Sequence, residues 1–95
     1  MSITALNWAF SAKVKSSNAK FILVALSNYA DEDGYCYPSQ ARLARDTGQS
    51  ERSVRRHLAQ LEADQWITRS ERRRKNGSRT SDAFNLNWAE RKRPI

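Results

Sequence analysis

The chain has 95 residues, with 17 Lys+Arg against 10 Asp+Glu for a net charge of +7, which describes one small, strongly basic domain with a single core. Hydrophobic residues make up 39%, including three Trp, three Tyr and three Phe, enough to fold without staples; Cys36 alone closes no intrachain disulfide, and with only His57 it completes no four-ligand zinc site. The longest apolar run, Phe21 to Leu26, falls far short of the ~20 residues of a bilayer span and no signal-peptide pattern opens the chain, so the expectation is a soluble cytoplasmic protein without metal or cofactor.

Residues 1–15, with Leu6, Trp8, Ala9 and Phe10, read as an apolar arm or helical turn lying on the core. Ser16-Ser17-Asn18 offer N-caps for a helix running from Ala19 to Ala30. There Phe21, Ala25 and Tyr29, and beside them Ile22 and Leu26, follow helical spacing, and so dense an apolar run predicts burial on most sides. Asp31-Glu32-Asp33-Gly34 ends this helix as a turn. A calcium loop starting at Asp31 needs Gly where Cys36 stands and a bidentate Glu where Arg42 stands, so the turn is the reading adopted.

Tyr35-Cys36-Tyr37 reads as a brief extended segment, because Pro38 holds Tyr37 out of the α region. Ser39 caps a second helix, Gln40 to about Asp46, with Leu43 and Ala44 inward. Thr47-Gly48-Gln49 breaks it, Gly48 being able to take positive φ. Ser50 caps a third helix that extends to residue 64, and Glu51 in its first turn suits the helix macrodipole. Val54, Leu58 and Leu61 recur at i, i+4 and i+7 and form its inward stripe. Opposite them stand Arg52, Arg56, Ala59 and Ala63, with Ser53 and Gln60 on one flank and Arg55 on the other. His57, at the edge of the stripe, reads as a packing or hydrogen-bonding histidine.

Two strands follow: Trp66 to Ser70, rich in β-formers, and Ala83 to Trp88, apolar at 84, 86 and 88. Between them Asn76-Gly77 is a hairpin-turn signal, and Arg72, Arg73, Arg74, Lys75 and Arg79 crowd its tip. Residues 90–95 read as a basic, frayed tail. The domain is thus expected over 16–89, after the arm at 1–15. The charge is placed unevenly along it, +1 over residues 1–50 and +6 over 51–95, an asymmetry that suggests a polyanion partner.

A short helix, a tight Gly-containing turn and a second helix with a small, basic outer face form a helix-turn-helix, and the hairpin after it makes a wing. The expected fold is mainly α with a small β-hairpin: a winged helix-turn-helix of three core helices plus a two-stranded wing. The third helix fits the major groove of double-stranded DNA, and its N-terminal turn reaches base edges. This makes Gln49, Ser50, Arg52, Ser53 and Arg56 the candidates for base readout, since Arg pairs bidentately with guanine and Gln with adenine. Gln40, Arg55 and Gln60 are candidates for the DNA backbone, and Arg72, Arg73, Arg74, Lys75 and Arg79 for the backbone or an adjacent minor groove.

The stretch Asp33-Gly34-Tyr35-Cys36-Tyr37-Pro38-Ser39-Gln40, then Leu43-Ala44, Thr47-Gly48, Ser50, Ser53-Val54-Arg55-Arg56-His57-Leu58, Leu61-Glu62 and Trp66-Ile67, resembles the winged helix-turn-helix domain common at the N-termini of phage and plasmid replication initiators and related regulators. Trp8-Ala9 and the Ala19-to-Ala30 helix resemble its opening segment. The resemblance covers roughly residues 5–70. It implies duplex DNA binding, often at short repeated sites near an origin or the protein's own promoter, in replication, plasmid maintenance or transcriptional autoregulation. It also implies homodimers or cooperative binding on repeats, and partner proteins of replication or segregation. Family members often have Gly before the isoleucine of the first wing strand, where this sequence has Gln65-Trp66. The chain ends soon after the wing, as a small stand-alone binder or a domain of a longer protein would.

Other chemistries fit less well. None of Gly34, Gly48 and Gly77 sits in a phosphate-loop setting, and no His with a neighbouring carboxylate suggests a nucleophile relay, so no enzyme is expected. Trp8, Trp66, Trp88, Tyr35 and Tyr37 read as core and wing aromatics rather than as stacking platforms for single strands or RNA. A module that holds an acidic protein partner is the remaining alternative.

Overall fold

In the computed structural model, which describes residues 3–70 and 82–87, a serine cap starts each of the three helices that follow the first. The first, α1 (Ile3–Ser11), is a full helix and not a single turn. Its inward face is made of alanine: Ala5, Ala9 and, just past its end, Ala12 are buried, while Phe10 is 62% exposed and Ile3 72%. Ala9 and Trp8 lie on the core as the sequence suggested, whereas Phe10 does not. Small residues at i, i+4 and i+7 share one face, and their lack of bulk lets α1 lie close against α2 (Ser17–Tyr29), leaving the larger side chains at the rim.

Ser16 caps α2, its Oγ accepting from the Ala19 N–H at 3.3 Å. Ile22, Leu23 and Leu26 are fully buried, whereas Phe21 remains 49% exposed, so one face of this helix meets solvent. The Asp31–Gly34 turn is held by the Asp31 carboxylate, whose Oδ1 accepts from the N–H of Asp33 at 2.9 Å and of Tyr35 at 3.0 Å. Gly34 takes φ +82° there. Then come β1 (Tyr35–Cys36), α3 (Gln40–Thr47), α4 (Glu51–Ala63), β2 (Ile67–Ser70) and β3 (Ala83–Leu86).

The fold is a winged helix-turn-helix, mostly helical with a small antiparallel sheet. That sheet has three strands in the order β1-β3-β2, where the sequence suggested two. Tyr35 and Cys36 pair with Asn85 and Phe84 on the far edge of β3, while β2 pairs Ile67 with Leu86 through Ser70 with Ala83. A two-residue strand has no periodicity to read; its partner lies about fifty residues away and supplies the amides, as when Leu86 N–H donates to the Gly34 carbonyl at 2.8 Å. Phe84 and Leu86 enter the core beside Cys36 and Ile67. Trp88, the hairpin tip and the tail lie outside the described residues.

The turn from α4 into β2 is set by backbone geometry rather than by glycine. Gln65 adopts φ +65°; its N–H donates to Glu62 O at 3.1 Å and the Trp66 N–H to Leu61 O at 2.9 Å, the paired bonds of a Schellman motif. Asn87 closes the same turn, with Nδ2 donating to Gln65 O at 2.7 Å and its N–H to Trp66 O at 3.0 Å.

Candidate nucleic-acid interface

Two serine caps and one left-handed glycine position α4. Ser39 accepts from the Arg42 N–H at 3.0 Å and starts α3. Gly48 ends it at φ +69°, its N–H on Ala44 O. Nothing lies within 4 Å of where a Cβ would stand at Gly48, so the requirement there is conformational and not steric. Two residues on, Ser50 accepts from the Ser53 N–H at 3.1 Å and starts α4. The helix is then pinned by Val54, Leu58 and Leu61, all fully buried.

That anchoring fixes the outer face. Arg52, Arg55, Arg56, Ala59, Gln60 and Ala63 are all exposed. Among the described residues none of the three arginines makes an ion pair, so their charge is available to a ligand. The two alanines keep the centre of the face low.

The other candidates of the first turn are engaged within the protein. Gln49 donates from Nε2 to the Asn18 carbonyl at 3.3 Å and accepts from Ser53 Oγ at 2.8 Å. Ser53 Oγ lies 3.2 Å from His57 Nδ1, which is itself 2.8 Å from the Ser53 carbonyl. A carbonyl only accepts, so Nδ1 carries the ring proton, and His57, 7% exposed, is a buried hydrogen-bonding residue. This chain of contacts ties the start of α4 to the first turn of α2. The Ser50 hydroxyl serves as the cap, and Gln40, half-buried, opens α3. Gln60 donates from Nε2 to Asp64 Oδ2 at 2.9 Å. Arg72, Arg73, Arg74, Lys75 and Arg79 lie outside the described residues.

One cation of the basic second half is turned inward. Arg69 on β2 lies 3.9 Å from Glu62 and 3.9 Å from Asp82, with its guanidinium 5.8 Å from the centre of the Phe84 ring. It joins α4 to the root of the wing, and a count of charges along the chain does not separate it from outward-facing arginines.

Lys15 is a residue that sequence reasoning passed over. With Val14 and Ser16 on the α1–α2 connector it lines a pocket whose other wall carries Arg56, His57, Gln60 and Asp64 of α4 and its cap. The available signal was its place directly before the Ser16 cap of a helix with no acidic residue in its first turn. Beneath the sheet, burial pushes the Cys36 thiol up to about 12, with the charge of Asp31 acting in the same direction, so this cysteine is a core side chain and not a nucleophile.

Comparison with known proteins agrees with this geometry. The family described as a helix-turn-helix domain matches residues 15–67, more than half of the chain, from the α1–α2 connector to the first residue of β2. Among curated proteins, Protein YmfN of Escherichia coli (strain K12) is 39% identical over 57 residues. That match takes in 60% of this chain but 12% of the relative. No described helix is long and apolar enough to cross a membrane.

Proposed function

Since this chain belongs to the helix-turn-helix domain family, whose domain supports DNA binding, we propose that it reads double-stranded DNA sequence-specifically with α4 in the major groove. The observation that carries the reading is the outer face of α4, where Arg52, Arg55 and Arg56 are exposed and make no ion pair among the described residues, beside Ala59 and Ala63. A groove ~12 Å wide admits a helix, and small residues at the centre of the face let the backbone approach the bases. Arg52 and Arg56 are the base readers of this proposal. Gln49 and Ser53 join them by exchanging their internal hydrogen bonds for base edges, and Ser50 adds its hydroxyl. Arg55, Gln40 and Gln60 flank the groove at the phosphates, while Arg72, Arg73, Arg74, Lys75 and Arg79 of the hairpin follow the backbone or a minor groove. The setting proposed is a phage, plasmid or similar mobile element. The protein acts there in replication, maintenance or autoregulation, as a homodimer or cooperatively on repeated sites.

The test is titration against a selected site and a random duplex over a series of salt concentrations. Log affinity falls with log salt at a slope of about −0.9 per phosphate neutralised. Replacing Arg73, Arg74 and Lys75 together by Ala weakens both duplexes alike and flattens the slope. Arg52→Ala or Arg56→Ala instead costs ~1–3 kcal/mol on the selected site and relaxes preference at particular bases. Affinity indifferent to salt refutes the DNA reading; equal losses on both duplexes in the arginine variants refute the groove assignment.

A further inference from the structure

We infer that the pocket between the α1–α2 connector and α4 takes one backbone phosphate of the bound duplex, with Lys15 as its cationic arm and Arg56, whose guanidinium goes to the bases, on the opposite rim; the inference rests on the DNA-binding reading above. The pocket measures about 350 Å³ and is lined by Val14, Lys15, Ser16, Ala19, Arg56, His57, Gln60 and Asp64.

Three features favour an anion. First, Lys15 of the connector and Arg56 of α4 border one space, so the potential there favours an anion even with the Arg56 guanidinium directed at the bases. Second, the N-terminal turn of α2 borders the pocket, with Ser16 as its cap and no acidic residue in its first turn, so the positive end of that helix is not offset by a carboxylate of its own. Third, the walls are held in place. His57 is fixed through Nδ1 on the Ser53 carbonyl at 2.8 Å, and Ser16 Oγ accepts from the Ala19 N–H at 3.3 Å, which sets the first turn of α2. Asp64 is the one carboxylate in the lining, and Gln60 donates to it at 2.9 Å.

The source of the anion follows from Arg56, which belongs both to the pocket and to the exposed face of α4. A duplex that accepts this face in its groove carries a sugar-phosphate strand along each flank, and the flank bearing Gln60 is the one that lines the pocket with Lys15. The pocket therefore adds a contact from outside the helix-turn-helix pair, one that fixes how α4 is rotated in the groove without itself reading sequence.

The experiment compares the wild-type chain with Lys15→Ala and Lys15→Arg on the selected and random duplexes. Lys15 is exposed, so Lys15→Ala is expected to melt as the wild type does. Its salt slope shallows by about 0.9, with an affinity loss of about tenfold on both duplexes, and Lys15→Arg restores the slope. A series of duplexes, each with a single neutral methylphosphonate linkage, then locates the contact: at one linkage the substitution weakens the wild type but not Lys15→Ala. A steep wild-type slope that Lys15→Ala leaves unchanged overturns the phosphate contact while the DNA reading stands. So does saturation of the Ser16 and Ala19 amide resonances by inorganic phosphate with that same unchanged slope. Affinity of the wild type that is indifferent to salt overturns both.

Discussion

Gln65 occupies a position that costs this protein stability, and replacing it by glycine is expected to raise that stability. The residue sits at φ +65° immediately after the α4 cap, where the Cβ of an L residue crowds the following carbonyl at a cost of roughly 1–2 kcal/mol. Against this relief, glycine adds conformational freedom to the unfolded chain worth about 0.4–1 kcal/mol. The net is a gain of about 0.5–1 kcal/mol, or a rise in Tm of about 2–8 °C for a domain of this size. The turn itself is held by groups the substitution leaves intact: the Trp66 N–H on Leu61 O at 2.9 Å, the Asn87 N–H on Trp66 O at 3.0 Å, and Asn87 Nδ2 on Gln65 O at 2.7 Å. Urea unfolding followed by circular dichroism should show a higher midpoint with an unchanged slope m. Gln65→Val, which places a β-branched residue in the same conformation, should lower the midpoint. A fall in midpoint for Gln65→Gly at unchanged m refutes the reasoning, because the glutamine side chain then contributes more than the backbone strain removes.

Two further predictions concern groups enclosed by the fold. The Cys36 thiol, raised by burial from 9.0 to about 12, keeps its proton in the folded state at pH values where the unfolded chain has lost it. Below pH 9 both states are protonated and the group contributes no pH dependence; from about pH 9 towards 12 it removes roughly 1.4 kcal/mol of stability per pH unit. Urea titrations at pH 9 and 10 should show Cys36→Ala with a flatter pH dependence, and iodoacetamide at pH 8 should label the wild type only after unfolding; native labelling at the unfolded rate contradicts this. Arg69→Met removes the guanidinium that lies over Phe84 and between Glu62 and Asp82, lowering stability by at most about 1 kcal/mol. The salt slope of DNA binding should not change, and a slope shallower by about one charge would move Arg69 from the wing root to the DNA contact surface.

What the sequence made legible is what is decided within a few residues. Ser16, Ser39 and Ser50 each cap the helix that follows. Gly48 takes the left-handed turn, and Val54, Leu58 and Leu61 are buried as their spacing requires. In each case the partner lies within a turn or two, so local chemistry and tertiary packing agree. The outer face of α4 follows from the same stripe, since anchoring one side of a helix sets the other.

Legibility stops where a contact joins distant segments. Strand β1 exists because β3 presents amides and carbonyls to it, and two residues cannot encode that partner. For α1 the identity of the apolar residues misleads: hydrophobicity favours burying Phe10 and Ile3, but the close approach of two helices selects Ala5, Ala9 and Ala12. Charge behaves in the same way. Arg69 and Arg56 look alike along the chain, yet one lies between Glu62 and Asp82 while the other stands on an open face. Lys15, in the nearly neutral first half of the sequence, meets Arg56 across a pocket formed by segments about forty residues apart. The +7 that first suggests a polyanion therefore divides by geometry and not by position. In the proposed complex, Arg52, Arg55 and Arg56, which make no ion pair among the described residues, are joined by Lys15 because the α1–α2 connector brings it to a pocket against α4.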